Sequence, residues 1–333
     1  MSYTFRAMLP ALWLALILPC APSASAADPE PGKEPAAESV IERAPLLPRS
    51  QEDALALEGR VPQADQQQLQ AGDETFLALW KPANSDEPKG AVIIVPGADE
   101  SADWPDTVGP LRRRFPDIGW ASLSLTLPDV QSDFSQPREV EAAPADAAGT
   151  DKPKEVPKDA APKDAAALEA DKAAAAEKEA AATAANAAAA EERAKAQAER
   201  IFARIESAIS FAQQNKARSI VLLGHGNGAY WAARFLSERP SPLVQKFVMV
   251  TAHEPLDAKP PLLELIPTLK MKTSDFVYKE QVQAREAATA RLQVSKRTKS
   301  AGFTQVGLTA IPGNEEAEQE QMFRRVRGWI EAK

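Results

Sequence analysis

The sequence predicts an α/β protein with a mostly parallel sheet flanked by helices. Three observations carry that expectation. First, Ala91-Val92-Ile93-Ile94-Val95 and Ser219-Ile220-Val221-Leu222-Leu223 are continuous apolar runs, the pattern of strands buried on both faces. Second, such runs alternate along the chain with segments of helical periodicity, as βαβ units do. Third, Gly224-His225-Gly226-Asn227-Gly228 joins the second run to the helical pattern Ala229–Leu236, so strand and helix meet in one tight glycine-rich turn.

The remaining elements follow in order. Residues 50–60 read as a short helix. Gln67–Leu69 and Thr75–Trp80 flank Ala71-Gly72-Asp73-Glu74, a hairpin signal. Pro96-Gly97 ends the Ala91 strand. A helix is predicted over Trp104–Arg114 and a strand over Trp120–Leu127, stopped by Pro128-Asp129. Beyond the turn, strands are predicted at Phe247–Thr251, Pro267–Met271 and Thr304–Thr309. Helices are predicted at Asp275–Thr298 and Glu315–Ile330, the last with Met322, Phe323, Val326, Trp329 and Ile330 at helical intervals.

Between these elements the composition changes. Residues 136–163 are rich in Pro, Asp, Glu and Lys and read as unstructured; from Ala165 to about Ala198 roughly half the residues are Ala. Ala, Glu, Lys and Arg are strong helix formers, and Glu191–Lys195 makes an i,i+4 pair. The stretch lacks an apolar stripe until Ile201, Ile205, Ala208, Ile209 and Ala212. It therefore extends an amphipathic helix N-terminally, either as a solvated insert or as a coiled-coil or partner-binding arm. The expected layout is a signal peptide over 1–26, a disordered tether over 27–49, a domain formed by 50–135 and 196–333, and an Ala/Glu/Lys-rich insert over 136–195.

The N-terminus has the parts of a secretory signal: Arg6, the apolar Ala7–Pro19, and Ala24-Ser25-Ala26 as an A-x-A cleavage site. The apolar run is shorter than the ~20 residues a membrane span needs, so the mature chain, starting near Ala27, is expected not to be transmembrane. The single cysteine, Cys20, lies inside the signal behind Pro19, where acylation would require a small residue. The mature chain would then have no disulfide, thiolate or cysteine metal site. Together with the acidity, this fits a bacterial periplasm. The net charge of −8 argues against a nucleic-acid partner; any other partner is left open.

The central turn has the spacing of G-x-S-x-G, the strand-to-helix elbow that lifts a nucleophilic serine above a parallel sheet, with Gly226 at the serine position. With this elbow, the strand order, the Ile93–Gly97 strand and loop, and the final Arg327-Gly328-Trp329-Ile330, the chain resembles the α/β-hydrolase fold over roughly residues 65–332. With the signal peptide, it is similar to an uncharacterised family of Gram-negative envelope proteins assigned to that fold. The resemblance implies a nucleophile, an acid and a histidine in that chain order. Gly226 cannot attack. Asp275 stands near the acid position but also reads as the N-cap of the following helix, a role Ser274 could take instead. No histidine follows the last strand around Ile311-Pro312-Gly313-Asn314; the chain holds only His225 and His253.

His225 is expected to pack beside the sheet. His253 lies at the carboxyl end of a strand, where ligands bind in open α/β sheets, and reads either as functional or as bonded to a backbone carbonyl. Ser101 and Thr251 are the substitute hydroxyls. His253 and Glu254 are adjacent, without H-E-x-x-H spacing, so no metal is expected; no P-loop or G-x-G-x-x-G points to a cofactor. Arg285, Arg291, Lys296, Arg297 and Lys299 make the penultimate helix basic, a solvated face or a surface for anionic lipid or polysaccharide. The expectation is a non-catalytic protein that keeps a hydrolase-shaped pocket for binding, formed by Pro96, Gly97, His225, Gly226, Asn227 and His253. The alternatives are an atypical esterase or peptidase with relocated residues near His253, and an envelope scaffold acting through the Ala-rich arm.

Overall fold

The computed structural model describes residues 47–130 and 165–332, except 257, 299 and 301. The signal peptide, most of the expected tether, residues 136–164 and Lys299 lie outside the described residues.

Eight strands form one sheet in the order β1-β2-β4-β3-β5-β6-β7-β8. They are β1 (Gln66–Ala71), β2 (Glu74–Lys81), β3 (Gly90–Val95), β4 (Trp120–Leu125), β5 (Ile220–His225), β6 (Val244–Val250), β7 (Lys272–Tyr278) and β8 (Phe303–Leu308). β1 and β2 form the hairpin, with Ala71 paired to Glu74 across Gly72-Asp73, and β2 runs antiparallel to β4. All later pairings are parallel. With the elbow after β5, this order is the α/β-hydrolase fold.

Alternation along the central strands explains their unbroken hydrophobicity. Ala91, Ile93 and Val95 of β3 join one core with Ile220 and Leu222 of β5, while Val92 and Ile94 join the other with Val221 and Leu223. Successive side chains leave opposite faces, and helices cover both. α3 (Ala165–Gln214) and α4 (Asn227–Glu238) contribute Ile201, Phe202, Ile205, Tyr230 and Phe235 to the first core. α2 (Val108–Arg114) and α7 (Glu315–Glu331) contribute Val108, Leu111, Phe323 and Val326 to the second. α1 (Arg49–Glu58) sits over Leu77 and Leu79 through Leu57, α5 (Leu262–Leu265) follows β6, and α6 (Val282–Arg297) follows β7.

α3 is the one helix far longer than the sheet it crosses, about 75 Å at ~1.5 Å per residue. Residues 180–192 are exposed, and burial on the sheet begins at Gln197 and Ala198.

The strand expected at Pro267–Met271 is displaced. Ile266–Thr268 forms a 3₁₀ turn, and the strand is Lys272–Tyr278. Proline cannot donate to a ladder, and Pro267 falls in the turn. The true strand begins with Lys272-Thr273-Ser274-Asp275, whose polarity hides it. The helix expected from Asp275 accordingly starts at Val282.

The order in which strands are added reverses at β3, which has β4 on one side and β5 on the other, all three parallel. Ligand crevices of open α/β sheets lie outside the carboxyl ends of strands at such a switch point, and Val95 and His225 end their strands there.

Candidate functional site

The elbow keeps its backbone shape without its side chain. Gly226 has φ 58° and ψ −128°, a region in which any other residue is strained. Its N–H donates to the Val250 carbonyl at 3.0 Å, and its carbonyl accepts from the His253 N–H at 3.2 Å. A Cβ on Gly224 would collide with the backbone of Ala229, and one on Gly228 with the Pro96 carbonyl. α4 thus sits directly on β5 and β3 because those two positions carry no side chain.

The two backbone bonds draw the loop after β6 across the elbow. Thr251 takes φ 48°, and its N–H donates to the Phe276 carbonyl at 2.9 Å. This turn places His253 above Gly226, with Cε1 3.0 Å from the point where a Cβ on Gly226 would stand. His253 Nδ1 lies 3.4 Å from the Thr251 carbonyl. Among the described residues no hydroxyl, from Ser101, Thr251 or elsewhere, hydrogen-bonds to His253.

An acyl-transfer site of this fold needs backbone donors from the β3–α2 loop, together with the amide after the nucleophile. Here the two loop amides that follow Pro96 are engaged by side chains. The Gly97 N–H donates to Glu100 Oε2 at 2.7 Å. The Ala98 N–H donates to Asn227 Oδ1 at 2.6 Å. Asn227 therefore ties α4 to the loop.

Glu100 also holds His225. Both carboxylate oxygens stand 2.7 Å from Nδ1, and both side chains are largely buried. Burial pushes the Glu100 carboxyl up. The hydrogen bond and charge of His225, the Gly97 N–H and the charge of His253 outweigh it and hold the group below the ordinary carboxylate value. An ionised carboxylate only accepts, so Nδ1 carries the proton. Nε2 remains, and it makes no hydrogen bond among the described residues.

Asp275 is neither a helix cap nor an acid at the mouth. It is fully buried in the middle of β7. Arg291 Nε donates to its Oδ2 at 2.9 Å and Nη2 to its Oδ1 at 3.1 Å, and Gln305 donates to Oδ2 at 3.2 Å. Ser274 is likewise buried in that strand and caps no helix. Arg291 is consequently an internal cation and not part of an exposed basic face.

A cleft of about 1200 Å³ opens over these strand ends. Of the residues expected in the pocket, His225, Gly226 and His253 line it; Pro96, Gly97 and Asn227 do not. Glu100 and Tyr278 line it and escaped sequence reasoning; Glu254 and Arg291, which the sequence placed beside His253 and on the basic helix, line it too. Glu100 was detectable only as a carboxylate three residues after Gly97, at the spacing that lets a side chain accept the Gly97 N–H. Burial, reinforced by Glu318 and Glu280, pushes the Tyr278 hydroxyl strongly up. A second cleft of about 1150 Å³ lies along α1, the β1–β2 hairpin and α3. Its Arg200 and Arg204 are already paired with Glu74. No group of three or more metal-ligating side chains occurs among the described residues, and no described helix is long and apolar enough to cross a membrane.

The profile described as Protein of unknown function (DUF3530) matches residues 9–332. The chain belongs to that family. No protein of curated function matches it significantly. Among solved structures it is similar to an esterase from Pyrococcus furiosus, at 10% identity and TM-score 0.48 over 80% of this chain and 88% of that one. It is similar to Est1E from Butyrivibrio proteoclasticus at 9% identity and TM-score 0.48, over 80% and 100%. The esterase domain of a Rhodothermus marinus protein gives 11% and 0.46 over 79% and 96%.

Proposed function

We propose that this DUF3530 protein is an exported, non-catalytic member of the α/β-hydrolase fold that uses the cleft over Gly226 to bind a ligand. The observation that carries this reading is the engagement of both loop amides, Gly97 with Glu100 and Ala98 with Asn227. A site that had lost only its serine would still present these donors to a ligand oxygen. The absent side chain at Gly226 and the imidazole above it support the same reading. Export is supported by Arg6, the apolar Ala7–Pro19 and the Ala24-Ser25-Ala26 site, and the periplasm is the compartment proposed.

Two experiments test the two parts. Incubation of the purified chain with a fluorophosphonate probe should give no covalent adduct by intact mass; a stoichiometric adduct on any serine or threonine lining the cleft would overturn the non-catalytic reading. Cell fractionation with N-terminal sequencing should find the chain in the periplasm beginning near Ala27; a cytoplasmic chain retaining Met1 would overturn export.

A further inference from the structure

The two ends of the parallel sheet differ in charge. The chain enters β5, β6, β7 and β8 through residues 215–219, 239–243, 269–271 and 298–302. None of these four segments contains an aspartate or a glutamate. At the opposite end Asp99, Glu100 and Asp103 follow β3, Glu254 follows β6 and Glu280 follows β7. Six exposed cations gather where β5 to β8 begin. They are Lys216 and Arg218 before β5, Lys270 and Lys272 at the start of β7, and Lys296 and Arg297 in the last turn of α6, which returns the chain to β8. None of the six makes an ion pair among the described residues, whereas Arg239 at the same end is held by Glu199 and Glu206. Two other cations of α6 are engaged: Arg285 donates to the Lys279 carbonyl and Arg291 is bound by Asp275.

Helix C-termini point to this end and favour cations within their last turn. That effect does not account for Lys246 of β6 and Lys272 of β7, which stand in register, a like-charge pairing that costs stability. Burial, and then the charge of Lys272, hold the Lys246 amine below the ordinary lysine value, and no carboxylate offsets them. An anion from outside the chain would relieve that repulsion. The shape of the surface selects the kind of anion. Strands lie ~4.8 Å apart, so β5 to β8 spread the cations over on the order of 15 Å. None of the six lines either cleft, so they face a broad partner and not a single ion. Leu243, Met271 and Trp329 are half-exposed beside them, Trp329 with its ring centre 5.7 Å from Lys246 Nζ. Apolar and indole side chains set among cations suit the headgroup boundary of a bilayer.

We infer that the end of the sheet where β5 to β8 begin docks on an anionic phospholipid surface, with Lys216, Arg218, Lys270, Lys272, Lys296 and Arg297 meeting the lipid phosphates. The contact is independent of the cleft over Gly226.

Co-flotation of the purified chain beginning at Ala27 tests this with two vesicle preparations, phosphatidylethanolamine with phosphatidylglycerol, and phosphatidylcholine alone. Binding is expected to the anionic vesicles only, and should weaken as salt rises. Lys270→Gln with Lys272→Gln, and Lys296→Gln with Arg297→Gln, should each weaken it about tenfold or more, at roughly fivefold per cation near an anionic surface. Arg60→Gln with Lys195→Gln removes the same charge elsewhere on the molecule and should leave binding unchanged. Thermal unfolding checks that every variant folds. Lys272→Gln alone should not lower the midpoint, because it ends the repulsion with Lys246.

Absence of binding to the anionic vesicles would overturn the inference, as would equal binding to phosphatidylcholine. Losses in the Arg60 and Lys195 control as large as those in the other two pairs would also overturn it, since net charge and not this surface would then govern binding. Binding of soluble polyphosphate with none to vesicles would overturn the bilayer as the partner and make the surface a site for a soluble polyanion.

Discussion

His253 stands over Gly226, its Cε1 3.0 Å from where a Cβ would be. The space a nucleophile would use at the elbow is therefore already bounded by an imidazole, held there by the His253 N–H to Gly226 carbonyl bond and the left-handed turn at Thr251. The glycine and the histidine fit each other.

Restoring the serine should not restore a hydrolase. Gly226→Ser puts a side chain at φ 58° and against His253, a destabilisation of about 1–3 kcal/mol. His253→Ala in the same chain should return part of that loss, because the two positions are in contact and their effects do not add. Urea unfolding of the two single variants and the double variant measures the coupling; strict additivity would contradict the contact.

The buried Asp275–Arg291 pair should behave as a unit. Asp275→Asn or Arg291→Met alone leaves an uncompensated buried charge and should cost about 3–5 kcal/mol. Asp275→Leu combined with Arg291→Met should cost much less than the sum of the singles. Denaturant midpoints decide; a single-variant loss within about 0.5 kcal/mol, as at exposed sites, would show that the pair is solvated.

These two pairs also show what the sequence could reveal. β3 and β5 were legible because both faces of each strand are covered, so Ala91–Val95 and Ile220–Leu223 are apolar throughout. The elbow was legible because Gly224, Gly226 and Gly228 form a local spacing pattern, even though Gly228 makes room for the distant Pro96 carbonyl. β7 was not, since Ser274 and Asp275 look like a helix start until Arg291, 16 residues on, neutralises the carboxylate. Glu100 escaped for the same reason: its partner His225 is 125 residues away, and no local pattern records the pairing. His225 and His253 were identifiable as the chain's only histidines, but their different roles depend on the loop that crosses the elbow.

Stability should fall in acid partly through Glu100. Its folded carboxyl is held below the ordinary value of 4.5, so the unfolded chain takes up the proton first. The contribution is fully present above about pH 4.5 and is lost as pH drops through the folded value. Glu100→Gln should therefore show a flatter decline in stability below that pH than the unaltered chain. Parallel declines in the two proteins would contradict the Glu100–His225 pairing.

The exposed part of α3 should be dispensable for folding. Side chains 180–192 are exposed, while burial begins at Gln197 and Ala198. Replacing residues 131–190 with a short Gly/Ser linker should change the unfolding free energy by less than about 1 kcal/mol. Circular dichroism melts would show it, and a collapse of the cooperative transition would contradict the assignment of that stretch as an insert.

The most direct measurement of the central claim is the initial rate of p-nitrophenyl acetate hydrolysis by the purified chain against a buffer blank, with His225→Asn and His253→Ala beside it. A closed elbow with its loop amides engaged predicts the same rate in all four samples. Turnover above the blank that disappears in either histidine variant would contradict the account.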